Sequence, residues 1–165
     1  MQTDIIERIA GIAAGSPLAE ALKARAEIMK LSDASHDAVL RPKAPGGLSH
    51  AVRAALAARM AVWLGDDALA GHYRTLLVEA GRAGSDLAAT VATPEAAPRD
   101  RRLAAIVRHA DLLTREPRAA TRDDIQALRA AGVEESDIVR LSELTAFVNY
   151  QARVIAGFRS LQGVL

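Results

Sequence analysis

The stretch SHAVRAALAARMAVWLGDDALAGHYRTLLVEAG, residues 49–81, decides the fold. Ser49 is a residue type whose side-chain oxygen satisfies the free N–H groups at a helix start, and the Ala-rich run from His50 to Leu64 behind it favours a helix. Asp66 or Asp67 can cap a second helix, which Gly81 then ends in the left-handed conformation. The pattern predicts a helical hairpin. Its first arm holds the longest apolar window, Ala54 to Leu64. Arg59 interrupts that window, which falls short of the roughly 18 residues that a membrane span requires.

Outward from the hairpin the chain keeps a helical period. Asp4 and Glu7 have capping-box spacing ahead of Ile5, Ile6, Ile9 and Ile12, which predicts a short amphipathic helix. Ser16-Pro17 places a cap before a proline at the first helical position, and the helix that follows is expected to run to about Leu31 or on to Leu40. Beyond the hairpin, residues 81–98 read as an Ala/Thr/Pro-rich linker. Asp100 to Thr114 reads as a helix stopped by Pro117, and Thr121 with Asp124 forms a second capping box before a helix ending at Gly132. Ser136 is expected to cap the last and longest helix. Its two apolar stripes are Ile138/Leu141/Val148/Ile155 and Leu144/Phe147/Val154/Phe158/Leu161. A helix apolar over so wide an arc is central to the fold or shared with another subunit. No segment alternates like a half-buried strand, so an all-α fold is expected. The 165 residues suit one domain, with residues 1–47 as an N-terminal helical extension and 48–162 as the core.

Composition narrows the chemistry. Half the residues are hydrophobic but only 3% are aromatic, so Ala, Leu, Val and Ile must fill the core. Twenty-one basic and 20 acidic residues leave a net charge of +1, too balanced to advertise nucleic acid or an anionic membrane. No secretory signal is read at the start, and a soluble, cytoplasmic protein is expected. The chain contains no cysteine, which removes disulfides, thiol catalysis and thiolate metal sites together. No His-x-x-x-His or Glu-x-x-His spacing occurs, so neither a metal nor a cofactor is expected. Gly-x-Ser-x-Gly, phosphate-loop and dinucleotide fingerprints are missing as well.

Four histidines titrate near neutrality without help. His72 stands out because it shares a helix face with Ala68, which would aim it at the hairpin's first arm. Two readings stand: an acid/base or ligand-orienting imidazole, and a partly buried structural histidine bonded to a carbonyl. His36, His50 and His109 are expected at the surface. Asn149 and Arg153 are neighbours on the long apolar helix, with Tyr150 between them and Glu143 before them. Polar groups there need partners, met by an Arg–carboxylate tie to another helix or subunit, or by a pocket lining. Trp63 and Tyr73 complete the candidate pocket or interface residues.

Several segments in this order carry a resemblance. They are residues 103–106, 112–117 and 123–132, then Asp137-Ile138, Asn149-Tyr150 and Arg153, with Ile9-Ala10-Gly11-Ile12 and Gly47-Leu48-Ser49 nearer the start. The chain resembles the carboxymuconolactone decarboxylase and alkylhydroperoxidase D-like superfamily, in its peroxidase-related branch, over roughly residues 48–162, and the stretches nearer the start, with Ser16-Pro17-Leu18, resemble its smaller CMD domain protein subgroup. The resemblance implies an all-helical alkylhydroperoxidase D-like fold that assembles into dimers, trimers or hexamers. Redox-active members of that family carry Cys-x-x-Cys-x-x-x-His at the start of the hairpin's second helix and a relay glutamate one helix earlier. Anchored on His72, the motif puts Gly65 and Ala68 where the thiols belong, and Arg53 or Ala54 where the glutamate belongs. Peroxide reduction by that route needs an attacking thiolate and a resolving thiol, and the chain has neither.

Three functions follow as expectations. One is a non-redox oligomer that binds a small molecule in the hairpin pocket, with His72 as acid/base. Another is a non-catalytic structural or interaction subunit that pairs with a Cys-containing relative through the long C-terminal helix, on the strength of its second apolar stripe. The last is a peroxidase-related antioxidant enzyme, by family label alone.

Overall fold

The computed structural model describes residues 4–164. Among them the chain forms nine α-helices, a single 3-10 turn and no strand, as the all-α reading expects. The helices are α1 (Ile5–Ala10), α2 (Pro17–Lys23), α3 (Ala26–Leu40), α4 (His50–Trp63), α5 (Asp67–Glu79), α6 (Gly81–Thr90), α7 (Arg101–Arg115), α8 (Arg122–Ala130) and α9 (Glu135–Gln162), and the 3-10 turn is Pro117–Ala119. No helix among the described residues is long and apolar enough to cross a membrane.

The α4–α5 hairpin forms as the caps predict. Ser49 accepts the Val52 N–H, and Asp66 accepts the Leu69 N–H at 3.0 Å. Helix α4 packs against α3, α5, α6, α7 and α9. It can meet so many neighbours because Ala51, Ala54, Ala55, Ala57, Ala58 and Ala61 are all buried, and small side chains let backbones approach closely. Its only charged residues, Arg53 and Arg59, are buried too. Arg53 donates to the carbonyls of Val39, Pro45 and Leu48 at 2.8–3.0 Å, closing the turn between α3 and α4. The position that the resemblance gives to a relay carboxylate is therefore a buried structural cation.

Helix α9 is central. It contacts α1, α2, α3, α4, α7 and α8. Phe147 is buried, Val154 and Phe158 pack half-buried on the same core, and only Leu161 of the second stripe is exposed. Most of that stripe packs on the chain's own helices, with Leu161 left at the surface. Ile6, Ile9, Leu18, Leu22, Met29 and Leu40 join the same cluster as the hairpin. The far end of α9 grips α1: Arg159 donates to the Ile9 carbonyl and forms a two-bond ion pair with Asp66, and Gln162 donates to the Ala10 carbonyl.

Three boundaries differ from expectation. The helix from Pro17 breaks at Ala24–Arg25, where Arg25 leaves helical geometry at φ −117°, ψ 15°. No glycine or proline marks that break. The expected linker 81–98 contains α6, because Gly81 (φ +64°) reverses the chain and Gly84 then lies directly on α5. A Cβ at Gly84 would sit 1.8 Å from the Leu77 carbonyl oxygen, so this glycine is a helix-packing contact rather than a breaker. Ser136 is not the cap of α9, since Glu134, two residues earlier, holds that position; Ser136 accepts from Arg140 within the first turn. Beside it, buried Asp137 accepts from Arg102, Arg140 and the Gly47 N–H at 2.9–3.0 Å, and so pins the α3–α4 loop to α9.

Candidate functional site

The face of α3 that carries Met29, Ser32, His36 and Leu40 turns inward. His36, expected at the surface, is 0% exposed there. The spacing of 3, 4 and 4 along those residues was the signal, since it places His36 on the buried stripe of the helix. Helix α5 lies across from it. His72 points to α3 and α1 rather than to the hairpin's first arm, and its Nε2 lies 3.0 Å from His36 Nε2. Tyr73 stacks nearly parallel to the His36 ring and Phe147 meets that ring edge-on. The Tyr73 hydroxyl donates to Gln151 at 2.5 Å, and burial pushes its pKa up.

The protons on this pair follow from its neighbours. Arg8 Nη2 lies 3.1 Å from His72 Nδ1, and a guanidinium has no acceptor, so Nδ1 must accept. Neutral His72 then carries its proton on Nε2 and donates to His36 Nε2. His36 in turn carries its proton on Nδ1, which faces Asp37 across a long 3.4 Å contact. Arg41 closes the line, 3.2 Å from Asp37 and 3.6 Å from Glu79. Burial lowers the pKa of both imidazoles. For His72, the neighbouring His36, Arg8 and Arg41 add to the burial effect, and its pKa falls to about 4. Both rings are neutral at pH 7, and the His72 lone pair faces the solvent side of the pair.

Further along the α3–α5 seam a cavity of about 210 Å³ opens, with Leu40, Ala54 and Leu76 as its apolar walls and Arg41, His50 and Glu79 as its polar ones. His72 does not line it. The link between them runs through Arg41, Asp37 and His36. Among the described residues, no group of three or more His, Asp or Glu side chains is arranged to hold a metal ion.

The other expected site residues scatter. Gly65 and Ala68 are both exposed, and Gly65 is in the left-handed region at φ +72°, where any L side chain is strained. Trp63 belongs to a different neighbourhood, with its Nε1 donating to Asp111 at 3.0 Å. Glu143 is exposed. Asn149 is buried and donates to the Thr145 carbonyl, and Arg153 donates to the Asn149 carbonyl of its own helix instead of reaching a carboxylate. Tyr150 pairs with Ser32 at 2.9 Å. His109 is also buried, contrary to expectation, because it lies on the inward face of α7 with Ile106 and Ala110. The chain matches no protein-family model and no curated protein sequence.

Proposed function

We propose that the chain is a carboxymuconolactone decarboxylase-like protein without redox thiols. On this reading it performs acid–base chemistry on a small molecule at the α3–α5 seam, with His72 as the proton-transferring group. The observation that carries the reading is the 3.0 Å Nε2–Nε2 contact, with tautomers set by Arg8. Arg8 is exposed on a six-residue helix, so an anionic group of a ligand can take over its N–H donors and free His72 Nδ1. Nδ1 then accepts a proton, the Nε2 proton passes to His36, and the His36 Nδ1 proton passes to solvent-exposed Asp37.

Titration by NMR checks the site. The His72 ring should stay neutral to about pH 4, and Arg8→Gln should raise its midpoint by removing one of the charges that lower it. A wild-type midpoint near 6.5 would overturn the buried pair. The same depression gives a pH-dependent stability. Folded His36, His72 and His109 hold fewer protons than the unfolded chain, so their contribution is complete above about pH 6.5 and is lost as pH falls below it, with the His72 part lost progressively toward pH 4. Asp4 works in the opposite sense: burial and Asp33 raise its pKa to about 6, so it favours the fold as pH drops from 6 toward 3.8. With three groups against one, thermal denaturation should show a net loss of stability between pH 6.5 and 4.5. For the chemistry itself, a ligand found by a metabolite thermal-shift screen should lose turnover with His72→Gln. Unchanged turnover would remove the catalytic role.

A homo-oligomer is the second part of the proposal. Ile28, Leu31 and Tyr150 are 52%, 57% and 41% exposed around an open groove of about 410 Å³ between α3 and α9, and Phe147 forms part of its floor. Clustered apolar exposure of this kind marks an association face, and a second copy seated there would cover the side of the fold behind His36. Sedimentation should show an oligomer for the wild type. Ile28→Glu with Leu31→Glu should give a folded monomer, whereas a wild-type monomer at tens of micromolar would sink the idea.

A further inference from the structure

A second cleft lies away from the His36–His72 pair. It is about 440 Å³, within the range of small-molecule sites, and it opens between α7 and the loop of residues 91–98. The loop is short of anchoring side chains, and buried Arg59 holds it from beneath by donating to the carbonyls of Val91, Thr93, Pro94 and Ala96. With the loop backbone turned toward Arg59, Ala97 and Pro98 form one wall of the cleft, and Val107 and Leu112 of α7 form the other.

The charges around this apolar trough do not balance. Arg59 and Asp111 neutralise one another through two bonds of 2.7 and 2.8 Å, and Trp63 takes a further Asp111 lone pair. Two rim cations remain, Arg108 and Arg115, seven residues apart and so on one face of α7. Neither makes a side-chain hydrogen bond or ion pair among the described residues. Arg115 instead lies over the Trp63 ring, 4.0 Å from its centroid. Glu116, at the same rim, offsets one of the two.

We infer that this cleft binds an organic monocarboxylate with an apolar body, its carboxylate on Arg108 and Arg115 and its chain along Val107, Leu112 and Pro98. Guanidinium forks match carboxylate geometry, and the apolar walls discriminate against a bare anion, which would leave them wet. The site is separate from the histidine seam and does not depend on the function proposed there.

Trp63 is the only tryptophan in the chain and touches two residues of the cleft, Asp111 and Arg115, so its fluorescence is a nearby reporter. Octanoate, octanol, acetate and inorganic phosphate are the probes, with calorimetry as a second readout because Arg115 itself touches the ring. Octanoate should give a saturable change, and each of the other three should bind at least about tenfold more weakly. Arg108→Gln and Arg115→Gln should each weaken octanoate about tenfold, as expected for losing a charge-assisted hydrogen bond, with the circular dichroism unchanged. His72→Gln should leave octanoate affinity untouched. The inference fails if octanoate gives no saturable signal at millimolar concentration. It also fails if octanol binds equally (apolar partition alone), if phosphate binds equally (anion attraction alone), or if both arginine variants bind like the wild type.

Discussion

Arg59→Met is expected to lower the melting temperature by roughly 10 °C, the equivalent of about 3–5 kcal/mol for a chain of this size. Methionine replaces much of the apolar stem, so little of the loss comes from a void. The cost arises because Asp111 keeps its charge in a largely buried place without its guanidinium, and four loop carbonyls lose their donor at once. Removing one member of a buried ion pair is costly for this reason, even where the intact pair contributes little net stability. Arg59→Lys should fall between, since one ammonium cannot span both the carboxylate and the loop. Thermal denaturation gives the size, and hydrogen exchange of residues 91–98 gives the place. A change under about 1 kcal/mol would mean that the loop is held by something other than Arg59.

Asp137→Ala should cost about 3 kcal/mol by urea denaturation, somewhat less than Arg59→Met. The Gly47 N–H loses its acceptor, while Arg102 and Arg140, each about one-third exposed, recover part of their hydration. Gly47→Ala strikes the same junction from the other side, because its Cβ would lie 2.1 Å from an Asp137 carboxylate oxygen. The two changes should therefore not add: Gly47→Ala should cost less when Asp137 is already alanine, where only the flexible end of Arg102 still meets the added methyl. Additive losses would show that the carboxylate does not set the approach of the loop to α9.

What was legible in the chain is what is local. Asp4, Ser16, Ser49, Asp66 and Asp100 each accept from an N–H two or three residues on, and Asp124 accepts the Thr121 N–H. Contacts that short in sequence can be read from spacing. The histidine pair joins residues 36 apart, and Arg59 reaches Asp111 52 residues on, so neither has a local signature. Arg53 and Arg59 did leave a trace, as the two charges in an otherwise apolar helix. A reading that treats charge as surface passes over it. Gly84 misled for the opposite reason: glycine is read as a stop, but a helix packed on a backbone carbonyl also requires it.

Helix α1 has six residues, too few to be stable as a helix alone; its Asp4 cap and buried Ile6 and Ile9 hold it in place, and Arg159 and Gln162 bind its last carbonyls. It is also the helix that carries Arg8 to His72. The last turn of α9 therefore acts as a latch on the histidine pair by way of α1. Tension, clipping or a fused partner at residues 159–162 would be felt at an imidazole that those residues never touch.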